Sequence, residues 1–158
     1  LAALVNEPLP DVPSLDRFCI ARQWSGNRDR DHKELEAVRA LRPRLKKFWH
    51  LKEPAIVALC NELLREGHAL PQLVKHDGWD YHIHATSPDA PLATRMAVEA
   101  ALAVVDLVRT KELARLKSCE YPDCENVFAD LTKNRSKKFC DAGCGNRSAV
   151  AAYRARNR

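Results

Sequence analysis

Four cysteines near the end of the chain, Cys119, Cys124, Cys140 and Cys144, stand as two close pairs, one with a four-residue gap and one with a three-residue gap, separated by fifteen residues. Two knuckles at that distance suit one tetrahedral ion. Soft thiolates select zinc, at about 2.3 Å from each sulfur, and four of them close the coordination shell and leave no place for water. The expected cofactor is therefore a single structural Zn2+ without a catalytic role. The other two cysteines, Cys19 and Cys60, lie alone at apolar positions of helical segments and read as small buried hydrophobes.

The residues around the four thiols predict a small fold of their own. Glu120–Asp123 supplies a proline and an aspartate for a tight knuckle, and Val127–Asp130 reads as a short strand whose Phe128 covers the metal. Arg135 to Phe139 reads as the returning strand. After Cys144, GNRSAVAAYRARNR has good helix propensity, which places the second pair at a helix N-terminus, where the dipole favours thiolate charge. Knuckle, hairpin and helix make a treble-clef-like ββα unit.

Several function classes fall away. All six histidines, His32, His50, His68, His76, His82 and His84, precede the cysteine unit, so it lacks the histidine base of zinc-knuckle nucleases. A zinc deaminase needs a His-x-Glu or Cys-x-Glu pair beside an open position; this chain shows His82-x-His84 and a closed cysteine set. Those two histidines project from one face of a strand with His76 across a turn, and read either as ordinary surface or half-buried side chains or as a site for a metal or an acidic ligand. No apolar run approaches the roughly 20 residues of a membrane span, so no membrane partner is expected. The first residues, LAALVNEPLP, carry neither the basic start nor the long apolar stretch of a secretory signal, and no initiator Met; the chain reads as beginning inside its gene product and residing in the cytoplasm.

Upstream, the 158 residues offer an α+β unit that is mostly helical. Ser14 is a candidate N-cap for a helix carrying Leu15, Phe18 and Cys19. A second helical face runs from about Asp31 to Leu51, with Pro43 demanding a kink or a break near Leu41. Pro54 opens the next helix and Gly67 closes it. Asp77-Gly78 then predicts a β-hairpin between the segments of Leu73 and Ile83, with Trp79 and Tyr81 read as core aromatics or as the aromatic candidates for a ligand pocket. Pro91 starts a long Ala-rich helix running to Leu116, the most buried of the unit. With no Gly/Ser/Pro linker before Cys119, residues 1–112 and 113–158 form two units coupled rigidly.

Phe128-x-Asp130, Thr132-x-Asn134, Arg135 and the intact Cys144-Gly145-Asn146-Arg147 resemble the CGNR zinc finger. Upstream, LAALVN, the helix with Asn61, the WDYHIH hairpin and the helix opened by Pro91 resemble the ABATE domain that precedes this finger in bacterial proteins described as candidate stress-induced transcription regulators. The chain differs in reading Ala3-Leu4 where the family has aspartate-phenylalanine before Val-Asn, and Phe139 where tryptophan is common before the third cysteine. The resemblance implies a first strand at LAALVN, DNA binding, and an unassigned ligand.

Charge agrees with a nucleic-acid partner. The net +5 is not spread evenly: residues 1–110 hold 15 basic and 15 acidic side chains, and residues 131–158 hold 8 basic against 1 acidic. Lys133, Arg135, Lys137 and Lys138 precede the third cysteine, and Arg147, Arg154, Arg156 and Arg158 follow the fourth, the footprint of a phosphate backbone. Arg147 is open to a second role, bracing the hairpin or a carbonyl. Asn146 is expected to cap the helix or bond a cysteine sulfur, and Gly145 to permit the turn after Cys144. The expected function is a zinc-stabilised DNA-binding transcription regulator, not an enzyme, with a first unit that senses a small molecule or mediates assembly such as a homodimer. The alternative is a zinc-containing protein- or RNA-interaction module with a solubilising tail.

Overall fold

The computed structural model describes residues 1–75, 78 and 80–157; His76, Asp77, Trp79 and Arg158, named above, lie outside them. Five helices form the body: α1 (Ala2–Asn6), α2 (Val12–Ala21), α3 (His32–Lys46), α4 (Glu53–Glu66) and α5 (Leu92–Arg109). A two-stranded antiparallel sheet, β1 (Gln72–Val74) with β2 (His82–His84), lies between α4 and α5 in the chain, with Leu73 opposite Ile83. A second, β3 (Leu116–Ser118) with β4 (Val127–Ala129), leads to the last helix, α6 (Cys144–Arg156).

The helix ends follow local chemistry. At α2, the Asp11 carboxylate accepts from the Ser14 N–H at 2.8 Å and the Ser14 hydroxyl accepts from the Asp11 N–H at 3.1 Å, a reciprocal capping box. The N-cap is thus Asp11, and Ser14 is the third helical residue, a correction to the expected cap. Asp31 caps α3 through the Glu34 N–H at 2.7 Å. The helix then runs through Pro43 without the expected break. Pro43 is exposed, on a face where water can serve the carbonyl that loses its helical donor. Pro54 and Gly67 bound α4 as expected. A Cβ at Gly67 would lie 2.2 Å from Val98 Cγ2, so only glycine lets the end of α4 approach α5 this closely.

Two further expectations are corrected. LAALVN is the short helix α1, not a strand; the Arg42 guanidinium takes the carbonyls of Leu4, Val5 and Glu7 at 2.6–2.8 Å, which serves the acceptors a helix C-terminus leaves open. The long Ala-rich helix ends at Arg109, where Thr110 folds its hydroxyl back onto the Asp106 carbonyl and Lys111 takes a left-handed φ of +58°. The chain continues as a 3-10 turn, Leu113–Arg115, into β3.

The core lies where α3 and α4 meet α5. Leu35, Val38, Leu45, Phe48, Leu63, Met96 and Val104 are all but inaccessible, each stabilising the fold by about 1.5–3 kcal/mol through burial. α5 contributes the most buried residues, as its composition predicts. Tyr81 departs from expectation: it is 70% exposed, with the Lys75 ammonium over its ring. Val127 of β4 joins the main core, and the Asn6 side chain grips its backbone, donating to the Val127 carbonyl at 2.7 Å and accepting from the Val127 N–H at 3.0 Å. The Trp49 indole donates to the Phe128 carbonyl at 2.9 Å. The cysteine unit is therefore docked on the helices, in keeping with the absence of a linker.

Candidate metal centre

Cys119 follows β3 directly, Cys124 precedes β4, and Cys140 and Cys144 flank the entry to α6. β4 pairs with β3, before the first cysteine, and not with Arg135–Phe139 as expected. That later segment is satisfied by side chains instead. The Lys117 ammonium takes the carbonyls of Arg135 and Lys137, and the Lys137 N–H donates to Asp130 at 2.9 Å; a single backbone bond, from the Glu120 N–H to the Lys138 carbonyl, ties it to the knuckle. The unit remains two strands and a helix.

All four sulfurs lie within 4.8 Å of one another, with Cys124 Sγ 3.7 Å and Cys144 Sγ 3.5 Å from Cys140 Sγ. A tetrahedron with metal–sulfur bonds of about 2.3 Å has edges of about 3.8 Å, so the residues present fit one zinc ion. Without a cation the cluster opposes ionisation: burial and the neighbouring sulfurs push the Cys144 thiol up to about 12. Cys140 stands at about 7, because the tendency of burial to raise it is outweighed by hydrogen bonds from the Ala142 backbone and Asn126. Zinc, when bound, supplies the charge that lets all four sulfurs ionise together and cross-links the knuckle to α6.

The residues around the sulfurs are only partly those the sequence singled out. Arg147 donates from Nη2 to Cys144 Sγ at 2.9 Å and stacks over the Tyr121 ring at 5.0 Å. Asn126 donates to Cys140 Sγ at 3.5 Å, the kind of contact expected of Asn146, which is exposed with no cap bond at the helix start. The left-handed turn into α6 is made by Gly143 at φ +76°, whereas Gly145 lies inside the helix, where a Cβ would stand 3.7 Å from Phe139 Cδ2. Asn126 and Tyr121 carried no motif signal, although each stands within three residues of a ligand in the sequence.

Asp130 is fully buried and organises the loop that carries the basic residues. It accepts from the Lys117 ammonium at 2.8 Å, from the Thr132 N–H and hydroxyl at 3.0 and 2.6 Å, and from the Lys137 N–H. Burial alone would raise its pKa, but these donors hold it well below the usual carboxylate range. The motif residues Asp130 and Thr132 thus act on loop shape.

Of the basic side chains, Arg135 is paired with Glu112 at 2.7 Å, Lys137 with Asp141 at 2.6 Å and Lys138 with Glu120 at 3.6 Å. Lys133, Arg154 and Arg156 are exposed and form no ion pair with any described residue.

A family model described as "Putative stress-induced transcription regulator", ABATE, matches residues 2–111, more than two thirds of the chain. The chain belongs to the ABATE family. A CGNR zinc finger model matches residues 115–157, following the ABATE domain in the chain. No curated protein matches the chain. Neither family is an enzyme family. Among the described residues of this ABATE protein, the four cysteines are the one group of three or more metal-capable side chains; His76, expected across the turn from His82 and His84, lies outside those residues. The His82 and His84 imidazoles meet each other, Nε2 to Nε2 at 2.9 Å. No helix among the described residues is long and apolar enough to cross a membrane.

Proposed function

We propose that this protein is a zinc-stabilised, DNA-binding transcription regulator of the cytoplasm, in which residues 113–158 present a basic helix to duplex DNA and residues 1–112 sense a small molecule. The observation that carries this reading is α6. Only Cys144 of its thirteen residues is buried, and after Ser148 every described residue of the helix is exposed. A helix of that length is marginal in water when unpacked. It is built to be completed by a partner, and Arg154 and Arg156, together with Lys133 on the loop before Cys140, offer unspent positive charge to a phosphate backbone.

Salt titration of DNA binding tests it. Each phosphate contact contributes about −0.9 to the slope of log K against log salt on duplex DNA. Neutralising Lys133, Arg154 and Arg156 together is expected to flatten the slope by about 0.9 for each side chain that meets phosphate. Wild type and variant with the same slope and affinity would overturn the reading. Val150 and Tyr153, 47% and 63% exposed on α6, favour a second reading in which the partner is a protein. In that case binding survives high salt and fails on Tyr153→Ala.

A further inference from the structure

The inward face of the β1–β2 hairpin stands off the helices and leaves a cavity of about 890 Å³ against the N-terminal half of α5. Strand alternation decides what faces it: Gln72, Val74 and His84 line the space, while Leu73 and Ile83 turn outward. A second cavity, of about 750 Å³, adjoins it at His84 and extends past His82 to Phe18, Trp24 and Met96. The two share Ser25, His84 and Glu99, so they meet at one point. Volumes of this order suit a small organic ligand, and the walls of the first, Leu70, Val74, Ala85, Pro88 and Pro91, are apolar.

The charges along these walls are not equally available. Glu66 is held by Arg44 through both carboxylate oxygens. Among the described residues Arg95 is the one lysine or arginine lining the first cavity, and its guanidinium is taken up by the carbonyls of Ala90, Ser25 and Asn27. Arg22, on the wall of the second, is paired with Glu7. That leaves Glu99, which forms no hydrogen bond or ion pair with any described residue and opens into both cavities. Glu99 is exposed where the two cavities adjoin, and desolvation by the surrounding walls holds its carboxyl above the ordinary value against the opposing charges of Arg95, His82 and the N-terminal ammonium.

We infer that the joint cavity is a binding site for an amphiphilic organic cation, an amine whose ammonium pairs with Glu99 beside the His84 imidazole while its hydrocarbon body lies along Leu70, Val74 and Pro88. The inference rests on the reading of residues 1–112 as the sensing unit and gives that unit a site and a ligand chemistry. A charge-assisted pair in such a site is worth about tenfold or more in affinity over the same body without the charge.

The experiment titrates n-hexylamine, n-hexanol and hexanoate into the zinc-loaded full chain, by calorimetry and by amide chemical shifts, for wild type and Glu99→Gln. Hexylamine is expected to bind about tenfold more tightly than hexanol, to shift the amides of Ala85 and Thr94, and to fall to the hexanol level in Glu99→Gln, with hexanol unchanged. Hexanoate binding most tightly, an unaltered hexylamine affinity in Glu99→Gln, or no shift at these amides with any probe would each overturn the site. DNA affinity is measured on the same samples to separate this site from the sensing reading. Hexylamine that fills the cavity without changing DNA affinity upholds the site and sinks the sensing role. DNA affinity that answers to hexanoate instead upholds sensing and sinks the cationic ligand.

Discussion

Arg147 stands three residues beyond the last cysteine, and its side chain turns back along the helix to meet that sulfur. Its sequence position left it open between phosphate contact and bracing, since both call for a cation beside the finger. Geometry assigns the guanidinium to Cys144 and Tyr121, where its charge favours the thiolate and its plane fills one side of the cluster. Arg147→Ala is expected to weaken zinc about 10–100-fold in competition with a chromogenic chelator. Arg147→Lys should recover part of that loss by charge alone, and an alanine variant with wild-type zinc affinity would remove the arginine from the site. Asp130 makes a different test. Because its folded pKa lies below the ordinary carboxylate value, its stabilising contribution is complete above about pH 4 and is lost as pH falls from there towards the depressed native value. Asp130→Asn should therefore lower the thermal midpoint by the same amount at about pH 8 and about pH 6. A gap between the two melts that closes by pH 6 would contradict the assignment.

At the scale of elements, the contrast lies between α5 and α6. Both read as helices from composition, yet α5 buries residues along much of its length and α6 buries one. Amide exchange should show it: the α5 amides protected to near the global stability, those from about Ser148 onward exchanging close to the free-peptide rate, and the latter slowed when duplex DNA is added. Strong protection of α6 in the free protein would mean that the helix is held within the chain. The long elements were legible because each repeats one signal many times; Pro54 and Gly67 mark α4 at both ends. The short ones were not. β3 pairs with β4 where the sequence suggested Arg135–Phe139, because the ladder groups of that segment are claimed by Lys117 and Asp130, side chains that leave no trace in a period-two pattern. LAALVN became a helix through Arg42, thirty-five or more positions away. The cysteines were legible because four thiols at fixed spacing admit few geometries, whereas Asn126 and Tyr121 act through position alone.

Over the whole molecule the finger and the helical body share one strand. β4 gives Phe128 to the cysteine cluster and Val127 to the main core, and its outer edge is bonded to Asn6 as a neighbouring strand would bond it. α1, which supplies Asn6, also lines the second cavity through Ala3 and Leu4, so one five-residue helix touches both that cavity and the finger. The exposed pair Lys46–Glu125, at 3.5 Å, adds little to this joint, and most of the coupling falls on Asn6 and Trp49. Replacing Asn6 by alanine leaves a part-buried N–H and carbonyl without partners, a loss of about 1–3 kcal/mol. Chelating zinc frees the knuckle from α6, and because β4 belongs to both cores the disturbance reaches the helices. In scanning calorimetry the zinc-loaded wild type should melt in one transition, and chelator should move that whole transition down. In Asn6→Ala with Trp49→Phe the joint is cut while both cores keep their apolar contacts, and a first, zinc-dependent transition should separate from a second that chelator does not move. Wild type that already melts in two steps, with only the first answering to zinc, would show that the shared strand does not join the two cores energetically.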